Sequence, residues 1–99
     1  MKRAVRVLRR AQHDLREIYD YVAREAPLRA DSFIDGFLDA IASLNELSER
    51  GATPRDEVLR QRGYRYLRYH EYLIFYKVLT RQVRVYRIVH AKRAYEHLL

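Results

Sequence analysis

Four histidines, His13, His70, His90 and His97, are the side chains best suited to proton transfer or metal ligation in this 99-residue chain. No two of them stand at the i, i+4 spacing that brings ligands together on a helix, and no carboxylate cluster accompanies them in sequence. They read as surface or hydrogen-bonded histidines, and no metal site is expected. Cysteine is absent, which removes disulfides, thiolate zinc sites and cysteine nucleophiles together. The hydroxyls of Ser32, Ser43, Ser48, Thr53 and Thr80 do not lie in a strained turn beside a histidine, as acyl transfer would need. Three isolated glycines make no phosphate-binding loop. No cofactor is expected.

Arginine and tyrosine offer more. Arg60, Arg62, Arg65, Arg68, Arg84 and Arg87 sit among Tyr64, Tyr66, Tyr69, Tyr72 and Tyr86, with few acidic residues nearby to balance them. Aromatic rings beside guanidinium groups suit RNA, through stacking and phosphate contacts. They suit a protein partner equally well, because Tyr and Arg dominate interface hot spots. Tyrosine is also simply a good strand former. Metal-independent RNA cleavage needs a base, an acid and cations on the phosphate. His90, or His70 with Glu71, supplies acid–base groups in principle, and Arg87, Lys92 and Arg93 supply charge. That is an inventory rather than a constellation.

The elements that must position these residues follow from the hydrophobic period. Residues 2–8 alternate around Val5 and Val7 and predict a short strand. Ala11, Leu15, Ile18 and Val22 then mark one face of a helix, with Asp14, Arg16, Glu17, Asp20 and Arg24 on its other sides. Pro27 ends that helix and can open the next. Ala30, Phe33, Ile34, Phe37, Leu38, Ile41, Leu44 and Leu47 predict a second helix of five turns, stopped at Arg50-Gly51. Gly36 inside it costs about 1 kcal/mol against Ala, which a close helix–helix approach would explain. The short link makes the two helices an antiparallel hairpin.

Residues 51–62 read as a polar loop. The period then becomes two. Residues 64–69, 72–79 and 83–90 predict three strands, joined by turns at His70-Glu71 and Thr80-Arg81-Gln82. Strict alternation places Arg84, Tyr86, Ile88 and His90 on one face of the last strand, and Val83, Val85, Arg87 and Val89 on the other. Tyr72-Leu73-Ile74-Phe75-Tyr76 is apolar on both faces and predicts a central strand. Residues 91–99 read as a tail or short helix whose Leu98 and Leu99 can dock. The expected architecture is α+β, in the order β-α-α-β-β-β-(α). A helical hairpin packs on one face of a small, mostly antiparallel sheet, in a single domain over residues 1–99.

No apolar run approaches the ~20 residues of a membrane helix, and the basic start lacks the apolar stretch of a signal peptide, so a cytoplasmic protein is expected. The net charge of +7 is unevenly spread. The first ten residues carry five positive charges and no negative one. Residues 11–50 carry four positive and nine negative charges, and residues 51–99 eleven positive and four negative. An acidic hairpin beside basic strands predicts an anionic partner for the sheet, nucleic acid or an acidic peptide.

Read together, the segments resemble the RelE/ParE superfamily of type II toxin–antitoxin toxins. The carriers are Ala11-x-x-Asp14-Leu15-x-x-Ile18-x-x-Tyr21, then Ala30-x-x-Phe33 and Leu44, then Gly63-Tyr64-Arg65. They continue with Tyr72-Leu73-Ile74-Phe75-Tyr76-Lys77-Val78 and Val85-Tyr86-Arg87-Ile88-Val89-His90-x-x-Arg93. RelE-like members cleave mRNA at the ribosome without metal, whereas ParE-like members poison DNA gyrase. The nucleases usually carry an Arg in the central strand where this chain has Leu73, and Lys or Glu near the first meander strand where it has Arg60, Arg62 and Arg65. The resemblance therefore implies a ParE-like toxin that acts by binding and is neutralised by an antitoxin whose acidic segment folds on it.

Under that implication, Arg87, His90, Lys92, Arg93 and Tyr95 are the expected target contacts. Arg60, Arg65, Tyr66, Arg68, Tyr72 and Arg84 are the expected antitoxin contacts. The alternative is a RelE-like nuclease using His90, Arg93, Tyr95 and His70 on ribosome-bound mRNA. A second alternative is a non-toxic module that only binds an antitoxin. The family often begins its first helix with Ser or Thr. Here Arg9-Arg10 place positive charge at the positive end of the helix dipole.

Overall fold

A computed structural model describes residues 2–99; Met1, the first residue of the basic start, lies outside the described residues. Strand β1 (Ala4–Val7) leads into helix α1 (Arg9–Glu25). A 3₁₀ turn at Pro27–Arg29 reverses the chain into helix α2 (Ala30–Ala42), and a second such turn follows at Ser43–Asn45. Helix α3 (Glu57–Gln61) precedes a meander of β2 (Tyr64–Tyr69), β3 (Tyr72–Val78) and β4 (Gln82–His90). The sheet order is β1-β4-β3-β2, with β1 parallel to β4 and the other pairs antiparallel. This is the expected α+β fold, with the hairpin of α1 and α2 on one face. No helix is long and apolar enough to cross a membrane.

Both faces of the central strand are buried, as its sequence predicts. Ile74 and Tyr76 meet Ala11, Ile18, Phe37, Ile41 and Leu44 of the hairpin side, with Val83, Val85 and Ile88. Leu73 and Phe75 point the other way, with Leu59, Tyr64 and Val89, under a lid formed partly by Tyr95, Leu98 and Leu99. The alternation of a β-strand divides these two clusters residue by residue.

Four local expectations change. The second helix ends at Ala42, short of Leu47. Ser43 Oγ donates to the Ala40 carbonyl (2.6 Å), and Asn45 is drawn into hydrogen bonds in both directions with the Arg3 backbone. Leu44 still reaches the core, but Leu47 is exposed. The polar loop contains α3, capped by Asp56, whose Oδ1 accepts the Leu59 N–H at 2.9 Å, while Leu59 is buried. Gly36 answers a strand rather than a helix. A Cβ there would run into the hydroxyl of Tyr69 and lie 2.7 Å from its ring carbon, and that hydroxyl donates to the Phe33 carbonyl.

The fourth change concerns β4. Phe75 pairs with Arg87 but Tyr76 pairs with Val85, so Tyr86 is an extra residue, a β-bulge. The bulge reverses the face assignment beyond it. Val83, Val85 and Ile88 join the hairpin-side cluster, while Val89 joins the opposite one.

Candidate target-binding surface

Beyond Val7, β1 no longer covers the edge of β4, and α1 takes its place. Asp14, expected on an outer side of the helix, is buried there. Its Oδ2 accepts the Ile88 backbone N–H (2.9 Å) and Arg87 Nε (2.8 Å), and its Oδ1 accepts Arg87 Nη2 (3.1 Å). One carboxylate thus replaces a missing strand partner and holds a bidentate guanidinium pair, a strong form of hydrogen bond. Arg87 also donates to the Leu98 carbonyl (3.3 Å), tying the tail to the same point.

This corrects the expectation for Arg87. It is only 7% exposed and fully engaged by Asp14 and the Leu98 carbonyl, which gives it a structural role in holding α1 and the tail against β4. His13, Asp14 and Glu17 offer ligand atoms close together, but Asp14 is taken up by Arg87 and Ile88, and His13 Nδ1 pairs with Glu17 at 2.8 Å. Of the three, only Asp14 contacts the Arg87 guanidinium.

The end of β4 forms a small cleft of about 120 Å³, lined by Asp14, Glu17 and Ile18 of α1, Tyr72 of β3, and Ile88, Val89, His90 and Arg93. His90 meets the edge of the Tyr72 ring (5.3 Å between centroids). Its Nδ1 accepts the Lys92 N–H at 3.1 Å, so the neutral ring carries its proton on Nε2. Burial raises the Tyr72 hydroxyl pKa above its ordinary value, with Tyr21 adding to the effect, which keeps it a neutral donor. Lys92 and Arg93 are exposed beside the cleft.

The remaining candidates scatter. Tyr95 stacks on Phe75 (4.9 Å) over the opposite face, and burial raises its pKa first among several causes. His70 sits in the β2–β3 turn with φ 52°, against Phe33 and Tyr69. Among the described residues, no side-chain hydrogen bond joins His70, His90, Arg93 and Tyr95.

The expected antitoxin contacts also divide. Arg65 and Tyr72 lie on the hairpin side, Arg65 donating to the Gly51 carbonyl at 2.9 Å. Tyr66, Arg68 and Arg84 belong to the opposite face, and Arg60 of α3 donates to the carbonyls of Pro54 and Arg55. Arg6 and Lys77, which lie in register with Arg84, were not singled out by sequence; Arg6 precedes Arg84 by 78 positions, and register across that distance leaves no local signal.

The fold has close relatives among solved structures. The chain is similar to a chromosomal ParDE toxin–antitoxin system from Pseudomonas aeruginosa, with a TM-score of 0.77 and 21% identity over 92% of this chain and 98% of that one. It is also similar to the RelBE2 toxin–antitoxin complex of Mycobacterium tuberculosis, with a TM-score of 0.65 and 19% identity over 91% of this chain and 99% of that one. No curated protein sequence matches it. Residues 5–95 match the family model for the ParE toxin of the type II toxin–antitoxin system, parDE, and the chain therefore belongs to the ParE family of type II toxins.

Proposed function

We infer that this toxin acts in the cytoplasm by binding DNA gyrase and that a cognate antitoxin neutralises it. The observation that carries this reading is Leu73. The superfamily's nucleases usually carry an arginine at this point of the central strand, and here an apolar side chain is packed with Phe75 and Val89. The groups a nuclease would need are dispersed over two faces, while His90, Lys92 and Arg93 form a compact basic end suited to a protein surface.

Target contact is assigned to His90, Lys92 and Arg93, with Tyr95 supporting the tail from beneath. The antitoxin is assigned the exposed apolar side chains of the hairpin, Tyr21, Leu28 and Leu38, with Arg65 on the hairpin side of strand β2 and Arg68 on the other side of that strand. An acidic segment that folds on binding would cover both. The related ParDE and RelBE2 structures are of toxin–antitoxin systems, which supports such a partner.

The test is a gyrase supercoiling assay with purified toxin. Inhibition near stoichiometric toxin, weakened about tenfold by Lys92→Ala with Arg93→Ala (~1.4 kcal/mol), supports the reading. Unaffected supercoiling together with ribosome-dependent mRNA cuts lost in His90→Ala supports the nuclease instead. Normal growth on induction without antitoxin supports the non-toxic module.

A further inference from the structure

Strand β4 ends in a turn that uses a histidine where turns ordinarily use a shorter side chain. His90 accepts twice. Its carbonyl takes the Arg93 N–H (3.0 Å), which closes a β-turn over residues 90–93. Its ring Nδ1 takes the Lys92 N–H (3.1 Å). A third bond, from the Ala91 N–H to the Glu71 carbonyl (2.8 Å), pins the start of this turn to the β2–β3 turn. His90 and Ala91 are half-buried, while Lys92 and Arg93 are exposed.

Asp, Asn and Ser are favoured at the first position of such turns, because a side-chain oxygen there accepts the N–H two residues on. An Asn amide oxygen accepts at any pH near neutrality. An imidazole accepts only while neutral; once protonated, both of its nitrogens donate. Nδ1–H would then face the Lys92 N–H, donor against donor. Histidine is also the side chain whose charge changes between about pH 5 and pH 8. The surroundings leave His90 free to play this part. Tyr72, its partner across β3 and β4, meets the ring at 5.3 Å, with Tyr21 of α1 near that hydroxyl. The carboxylates of α1 that line the cleft are engaged, Asp14 by Arg87 and Glu17 by His13. Glu71 pairs with Arg68 (3.5 Å). Lys92 and Arg93 follow the ring in sequence and disfavour a further positive charge beside them.

We propose that His90 is a positioning residue: its neutral ring fixes the turn that presents Lys92 and Arg93, and its protonation releases that turn. The turn belongs to the free toxin. Its bearing on target binding rests on gyrase being the target that these two cations contact. Two effects of protonation pull apart. Added charge at a basic end by itself strengthens attraction to an acidic surface. Freeing the two cations means that contact must order them again, which weakens binding. Weaker binding in mild acid is therefore the mark of positioning, and stronger binding the mark of charge alone.

The experiment is ¹⁵N NMR relaxation on the full chain at about pH 7.5 and about pH 5.5, read at the Lys92 and Arg93 amides. In the parent, order parameters near ~0.85 should fall toward ~0.6 in acid. His90→Asn keeps an acceptor that does not titrate and should stay ordered at both pH values. His90→Ala should be loose at both. Affinity for gyrase, measured on the same three proteins, should fall about fivefold in His90→Ala at the higher pH, the effect of one net hydrogen bond. His90→Asn should recover most of that loss. In acid the parent should weaken relative to His90→Asn, a ratio that cancels any pH response of gyrase itself. The proposal is overturned if order in the parent does not change with pH, if His90→Asn is as loose as His90→Ala, or if acid loosens His90→Asn as well. A parent that binds gyrase more tightly than His90→Asn in acid than at the higher pH also overturns it. Relaxation as predicted, with no gyrase binding by any of the three proteins, upholds the turn and rejects gyrase as the target.

Discussion

Arg84 and Arg87 stand three residues apart on the same strand and do opposite work. Arg87 is enclosed, with both carboxylate oxygens of Asp14 and the Leu98 carbonyl as partners. Arg84 is half-buried between Arg6 and Lys77, with no carboxylate beside it and one donor unused. The bulge at Tyr86 separates them. Before it, β1 covers the edge of β4 with backbone; after it, the edge is covered by a carboxylate, which needs a cation. A charge that the fold consumes contributes to stability, and a charge that the fold leaves uncompensated is available for binding. Sequence alone makes both arginines binding candidates on opposite faces of the strand, and only their partners show which one the fold consumes.

Breaking the consumed charge should have the largest effect. Asp14→Asn leaves Arg87 buried without its counter-charge and is expected to cost about 3–5 kcal/mol. In a domain of this size that lowers the thermal midpoint by roughly 15 °C or more, read by circular dichroism. Replacing the pair, Asp14→Leu with Arg87→Met, removes both charges and should be milder. The Ile88 N–H still loses its acceptor, so a cost of about 1–3 kcal/mol remains. A double variant as unstable as Asp14→Asn would break the comparison from the structural side.

The uncompensated charge should behave otherwise. Arg84→Gln is expected to change stability by less than about 0.5 kcal/mol. At low salt the change should be toward greater stability, because a like-charge contact is relieved. Adding salt should stabilise the parent more than this variant, measured as the difference in urea midpoint. A large loss of stability in Arg84→Gln would place it with Arg87 as a structural cation.

The hairpin, the central strand and the turns are legible in the sequence because each is written in a local period. Alternation over residues 64–69 and the two-sided apolar run of β3 needed nothing from elsewhere in the chain. What was hidden is either short or distant. Helix α3 has five residues, too few for a period, and only Asp56 ahead of Leu59 marks it. The bulge cannot be read because valine and isoleucine occupy both faces around it, so alternation fits either parity. Asp14 and Arg87 lie 73 positions apart, and a carboxylate on a helix flank reads as solvated until a strand edge is placed against it. Of the candidate site, the basic end at His90, Lys92 and Arg93 was visible as a charge run, while the row through Arg6, Arg84 and Lys77 exists only through register.

That this toxin works by binding a protein target is tested most directly by titrating it into a gyrase supercoiling reaction. The account predicts loss of supercoiling near stoichiometric toxin, restored when the cognate antitoxin is added. Full supercoiling at a large excess of folded toxin would contradict it.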